Sequence, residues 1–152
     1  MDYGSPELLA DIETLKQALE EHGGMGIAAP QLGIDRRLLL IHSRPNLRYP
    51  NAPESELMIL INPEIKTHSD EKELDWEGCL SVPDQRARVW RYSKISVEYC
   101  EPYGKLIQAF FEGFIARIFQ HEFDHLEGKV FTDLVNPEDI VSEEKYLSIV
   151  TT

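Results

Sequence analysis

Apolar positions early in the chain recur three and four residues apart, the period of one helix face: Leu8, Leu9, Ile12, Leu15 and Leu19. Ser5 precedes them as a capping residue, Pro6 stands in the first turn and Gly23-Gly24 closes the run, so a helix is predicted between these limits. The spacing then changes. Leu38-Leu39-Leu40-Ile41 is an unbroken apolar run of strand length, and residues 57–61 form another, which Asn62-Pro63 is expected to end. Between them, residues 42–56 hold three prolines and several polar residues and read as a long surface loop. Strand-like runs flank Cys79, residues 95–100 alternate as a half-buried strand does, and residues 106–110 supply a further strand. Helical spacing returns in Phe111, Phe114, Ile115, Ile118 and Phe119, with Gly128 where a C-terminal cap would fall. A short strand is predicted over residues 146–150. With no repeat and no linker, the pattern is α+β, antiparallel strands packed around a central helix, in a single domain over residues 1–152.

The chemistry on that central helix is concentrated in His121-Glu122-Phe123-Asp124-His125. Residues at i and i+4 share a helix face, so both imidazoles reach one ion, and Glu122 projects toward the ion's open side. A helix with an apolar stripe is partly buried, and inward-facing charged groups are costly there unless they bind something. The central helix is therefore read as metal-binding. Catalytic sites of this kind take three protein ligands and leave one position for water. No histidine follows His125, and the acids after it (Glu127, Asp133, Glu138, Asp139, Glu143 and Glu144) look solvated. Upstream, Cys79 in Glu77-Gly78-Cys79-Leu80-Ser81 would complete a Cys/His/His set suited to a borderline-soft divalent metal. Asp124 is turned partly aside from the two histidines. It is expected to pair with an arginine from the strand after the cysteine motif, Arg91 first and Arg88 second.

Composition narrows the surroundings. Among 152 residues, 42% are hydrophobic and 28% charged, ordinary for a globular chain. No apolar run follows a basic segment at the start and none is long enough to span a bilayer, so a cytoplasmic location away from membranes is expected. The net charge of −12 argues against direct nucleic-acid binding, which needs clustered Lys and Arg. Cys100, the second cysteine, sits at the end of an alternating strand and reads as a small packing residue.

Three segments in order, Gly24-Met25-Gly26-Ile27-Ala28-Ala29-Pro30-Gln31, Glu77-Gly78-Cys79-Leu80-Ser81 and Gln120-His121-Glu122-Phe123-Asp124-His125, resemble the motifs of peptide deformylases. The resemblance extends over about residues 5–134. It implies a metal-dependent hydrolase that removes the formyl group from the N-terminal formylmethionine of new proteins, releasing formate. It further implies Cys79, His121 and His125 as ligands of one divalent ion, expected to be Fe²⁺, with Zn²⁺, Ni²⁺ or Co²⁺ able to occupy the site. Glu122 would move the proton, and the Gln31 side-chain amide and the Leu80 backbone N–H would donate to the developing oxyanion. Gly24 and Gly26 would let backbone approach substrate, with Glu77 and Gly78 beside them. Phe114, Arg117 and Ile118 would wall a methionine pocket with Arg86 near its rim.

The chain departs from the family pattern at both ends. The strand and turn usual before the first helix are absent, which puts the edge of the first sheet in question. Residues 135–145 lack the basic helix that some bacterial members use at the ribosome, so ribosome proximity rests on the nascent-chain substrate alone. Two rival readings remain at this point: a zinc peptidase, which would want a third ligand downstream, and an inactive relative acting by binding.

Overall fold

The computed structural model describes residues 2–46, 49–79 and 81–150. In α1 (Pro6–His22) the Ser5 hydroxyl accepts the Leu8 N–H at 3.1 Å, Pro6 occupies the first turn and Gly23 ends the helix in the left-handed region at φ 62°. The buried face is Leu8, Ile12, Leu15 and Leu19. There follow β1 (Gly26–Ala28), a 3-10 turn (Ala29–Leu32), β2 (Leu38–Ile41), β3 (Met58–His68), β4 (Lys72–Cys79), β5 (Val82–Tyr92), β6 (Lys94–Cys100), β7 (Leu106–Glu112), α2 (Gly113–Leu126), β8 (Val141–Ser142) and α3 (Glu143–Val150). All pairings are antiparallel, in a five-stranded sheet ordered β1-β2-β3-β6-β7 and a three-stranded sheet ordered β4-β5-β8.

The unbroken apolar run of β2 has a simple cause, because both of its faces are covered. Leu39 and Ile41 join Leu60, Val97 and Phe119 in the core around α2, whereas Leu38 and Leu40 join the α1 face. Cys100 packs against that second cluster, as a small core residue would. The architecture is thus α+β, with antiparallel strands around α2.

Three expectations about boundaries are corrected. β3 does not end at Asn62-Pro63: Asn62 takes φ 51°, the ladder shifts register between Ile61 and Glu64, and the strand continues to pair with β6. Proline lacks a donor, and a bulge is where a strand tolerates that loss. Phe111 belongs to β7 rather than to the helix, and meets Phe119 across the core with ring centroids 5.9 Å apart. Residues 146–150 are helical, not extended. Ser142 accepts the Lys145 N–H at 3.2 Å as a cap, Glu143 and Glu144 sit at the positive helix end, and Tyr146 is buried.

Candidate metal centre and active site

Cys79 is delivered by the last residue of β4, and His121 and His125 by one face of α2. Their potential ligand atoms all lie within 4.8 Å of one another, with Cys79 Sγ 3.2 Å from His125 Nε2. Around one tetrahedral ion with bonds of about 2.0–2.3 Å, ligand atoms stand roughly 3.3–3.7 Å apart, so this donor set suits a single divalent ion. His121 Nδ1 is 2.7 Å from Glu77 Oε1, which leaves Nε2 to face the other donors. Burial pushes the Cys79 thiol up, but hydrogen bonds with His121 and His125 outweigh it and bring the thiol down to about 5. The Gln31 amide at 3.3 Å and the Ser81 N–H at 3.4 Å also donate to the sulfur. Burial pulls the other way on His121 too, where Cys79 and Glu77 nevertheless raise it to about 10. An ion at the ligand atoms competes with that proton.

Behind the ligands lies a saturated ionic network. Arg91 forks onto Glu77 with Nε at 2.8 Å and Nη2 at 2.9 Å, and its Nη1 reaches Asp124 at 2.6 Å. The expected partner of Asp124 is thus Arg91, while Arg88 lies over the Trp76 ring. Arg117 donates to Glu77 at 2.7 Å and to the carbonyls of Glu73, Asp75 and Val89. Burial alone would push Glu77 up, yet the Arg91 and His121 hydrogen bonds hold it at about 2.

Glu122 is the opposite case. Its Oε1 is buried without a hydrogen-bond partner, 3.8 Å from His125 Nε2, and burial pushes the carboxyl up to about 7. Its other oxygen faces Gly26, where any Cβ would collide with it and with Ile118. Position 26 is therefore closed to larger residues while the carboxylate stays in place.

Cys79, His121 and Glu122 open onto a cavity of about 610 Å³. The expected substrate residues Gly24, Gly26, Glu77, Gly78, Arg86, Phe114, Arg117 and Ile118 border it together, and so does Gln31, the expected oxyanion donor. The Gln31 oxygen accepts the Ala28 N–H at 2.8 Å, which turns the amide nitrogen toward Cys79 and Ser81. Glu77 and Arg117 border the cavity, but their charged ends are committed to each other and to His121 and backbone. Leu80, the expected backbone donor, lies outside the described residues.

The sequence matches the family profile described as Polypeptide deformylase over residues 2–140. The chain belongs to the peptide deformylase family. It is similar to peptide deformylase 2 of Nostoc sp., 48% identical over 141 residues, 92% of this chain and 79% of that one. Peptide deformylase 1 of Bordetella pertussis is 45% identical over 129 residues, 85% and 73% of the two chains. Among solved structures, the Met-Ala-Ser-bound class I type b peptide deformylase from Acinetobacter baumannii superposes with a TM-score of 0.87 at 42% identity, covering 88% of this chain and 84% of that one. This deformylase is accordingly a metal-dependent hydrolase that removes the formyl group from the N-terminal formylmethionine of newly made proteins. The match displaces the zinc-peptidase alternative. No helix among the described residues is long and apolar enough to cross a membrane.

Sequence reasoning missed Tyr49, Tyr146 and Glu143. Tyr49 comes from the long loop, packs on Phe114 with centroids 5.3 Å apart and lies near Tyr146. Glu143, expected to be solvated, pairs with Arg86. The signal for Glu143 was present in Ser142-Glu143-Glu144, a cap followed by acids in a first helical turn. Tyr49 carried no such signal, since nothing local says where a loop folds back.

Proposed function

We propose that residues 1–152 act as one catalytic unit in which Cys79, His121 and His125 hold a single divalent ion, Fe²⁺ in the cell, and Glu122 carries the proton. When bound, such an ion polarises a carbonyl oxygen and lowers the pKa of water. Glu122 accepts a proton from the attacking water and returns it to the amine nitrogen as the formamide C–N bond breaks, leaving formate and a free amino terminus. The observation that carries this role is its buried, unpartnered oxygen beside the ligand histidines, with the carboxyl poised near neutrality. Such a group is costly to the fold and suited to proton transfer at cellular pH.

Gln31 supports the developing oxyanion through its amide nitrogen, because Ala28 holds the amide the right way round. The Leu80 N–H is proposed as the second donor. Phe114 and Ile118 supply apolar wall to a methionine side chain, and Gly24, Gly26 and Gly78 leave room for peptide backbone. Glu77 and Arg117 serve as positioning residues behind His121. The soft thiolate with two imidazoles accommodates Fe²⁺, Zn²⁺, Ni²⁺ or Co²⁺, so occupancy follows supply. A cytoplasmic setting near the ribosome follows from the nascent-chain substrate, with no part for nucleic acid given the charge of −12.

The test is formate release from a formyl-Met-Ala-Ser peptide by protein loaded with Fe²⁺ under anaerobic conditions. Formate equal to the amine formed is expected. An inactive, fully metal-loaded protein would overturn the assignment of these roles.

A further inference from the structure

One wall of the cavity carries a charged pair that amide hydrolysis does not require. Arg86, on β5, is only 7% exposed at its side chain, and its guanidinium lies over Gly78 so closely that no Cβ fits there. Its Nε and Nη2 donate to Glu143 at 2.6 and 3.3 Å, and its Nη1 donates to the Tyr49 hydroxyl at 3.0 Å. Glu143 is the first residue of α3 and is placed by the β5–β8 pairing. Arg86 is the register partner of Val141, and Glu143, two residues on, falls beside the same face. Asp84 anchors this turn by accepting the Glu143 N–H at 3.1 Å. Both members of the pair, and Asp84, border the cavity.

Gly78 is the neighbour of Cys79. The Arg86 guanidinium over Gly78 thus stands on the cavity wall next to the metal donors, where a peptide bound by its formyl group would meet its charge. Unpaired, that cation would draw peptides with an acidic side chain after the methionine and repel those with a lysine. Nascent proteins differ freely at those positions, so a charged wall would sort them. We propose that Glu143 is a specificity-determining residue whose carboxylate cancels the Arg86 charge on the pocket wall, making the enzyme selective for formylmethionine and indifferent to the charge of the residues that follow. The inference rests on the deformylase reading of the cavity. It gives the C-terminal helix a task in substrate choice.

The experiment compares kcat/KM for formyl-Met-Ala-Ser peptides carrying Asp or Lys in place of Ala, and in place of Ser, with iron-loaded protein. The native Asp:Lys ratio should lie near one. Glu143→Gln should raise it about three- to tenfold, and Arg86→Gln, which leaves the carboxylate alone on the wall, should lower it. The opposite signs separate electrostatic selection from simple damage, which lowers all peptides together. Native ratios in both variants would overturn the proposal. If Glu143→Gln does not fold, the Arg86→Gln arm decides by itself: a lowered ratio supports the proposal and a native one overturns it. Absence of turnover by the native protein on every peptide would instead overturn the functional reading beneath it.

Discussion

Two buried glutamates flank the ligand histidines of this deformylase, each 4% exposed, and their surroundings drive them apart. On one side Glu77 receives Arg91 through two nitrogens, Arg117 through one and His121 through its ring, and stays ionised down to about 2. On the other side Glu122 has an oxygen with no partner, and burial lifts it to about 7. Burial is common to both, so the partners decide. A saturated carboxylate is structural material, because any proton it took would break several charge-assisted bonds. An orphaned one is free to change its protonation, and the fold bears the cost.

The difference between the two carboxylates is tested most directly at Glu122. Glu122→Gln keeps shape and leaves the ligands in place, so turnover should fall at least about 10²–10⁴-fold while bound metal, measured by elemental analysis, stays at the native level. Near-native turnover would remove Glu122 from proton transfer. Cys79→Ala should lose most of the metal and Cys100→Ala should keep it, since one supplies a thiolate at the donor cluster and the other packs against α1. Equal retention in the two would undo the ligand set.

Glu77→Gln should act in the contrary sense to Glu122→Gln. It leaves the buried Arg117 charge without a carboxylate and Arg91 with Asp124 alone, and a loss of about 3–5 kcal/mol in denaturant-measured stability is expected, together with weaker metal retention. Acid titration of the metal-free protein sharpens the contrast. Glu77 is lowered in the fold, so its contribution is complete above its ordinary value of 4.5 and is lost as pH falls toward about 2. Glu122 is raised, so the folded state holds its proton more tightly and stability declines as pH rises from 4.5 through about 7. Metal-free Glu122→Gln should lack that decline and exceed the parent in melting temperature at pH 8. A parallel fall in both proteins would refute the unpaired carboxylate. The smallest effect is expected at the partly exposed end of the network. Asp124→Asn should cost about 1–2 kcal/mol because Arg91 keeps its fork to Glu77, whereas exposed Glu138→Gln should change neither stability nor metal content.

Much of this was legible in the chain because it is local. The shared helix face of His121 and His125, the cap at Ser5 and the strand over residues 38–41 each follow from neighbours close in the chain. The Asp124–Arg91 pair was reachable from the cost of a buried charge. What escaped depends on where distant segments meet. Asn62-Pro63 looks like a stop because a bulge is defined by its partner strand. Residues 146–150 look extended when the Ser142 cap is overlooked. The donation by Arg117 to Glu77, and the arrival of Tyr49 and Glu143 at the cavity, depend on tertiary closure between segments far apart in the chain.

The saturated network also governs how an ion comes and goes. Arg91, Arg117 and Asp124 close the rear of the ligand set, and the side chains of His121 and His125 are 8% and 5% exposed. The cavity is then the common doorway for ion and peptide. A peptide resting in that cavity would lie between the donor cluster and solvent, so removal of the ion by a chelator should slow when a peptide analogue is bound.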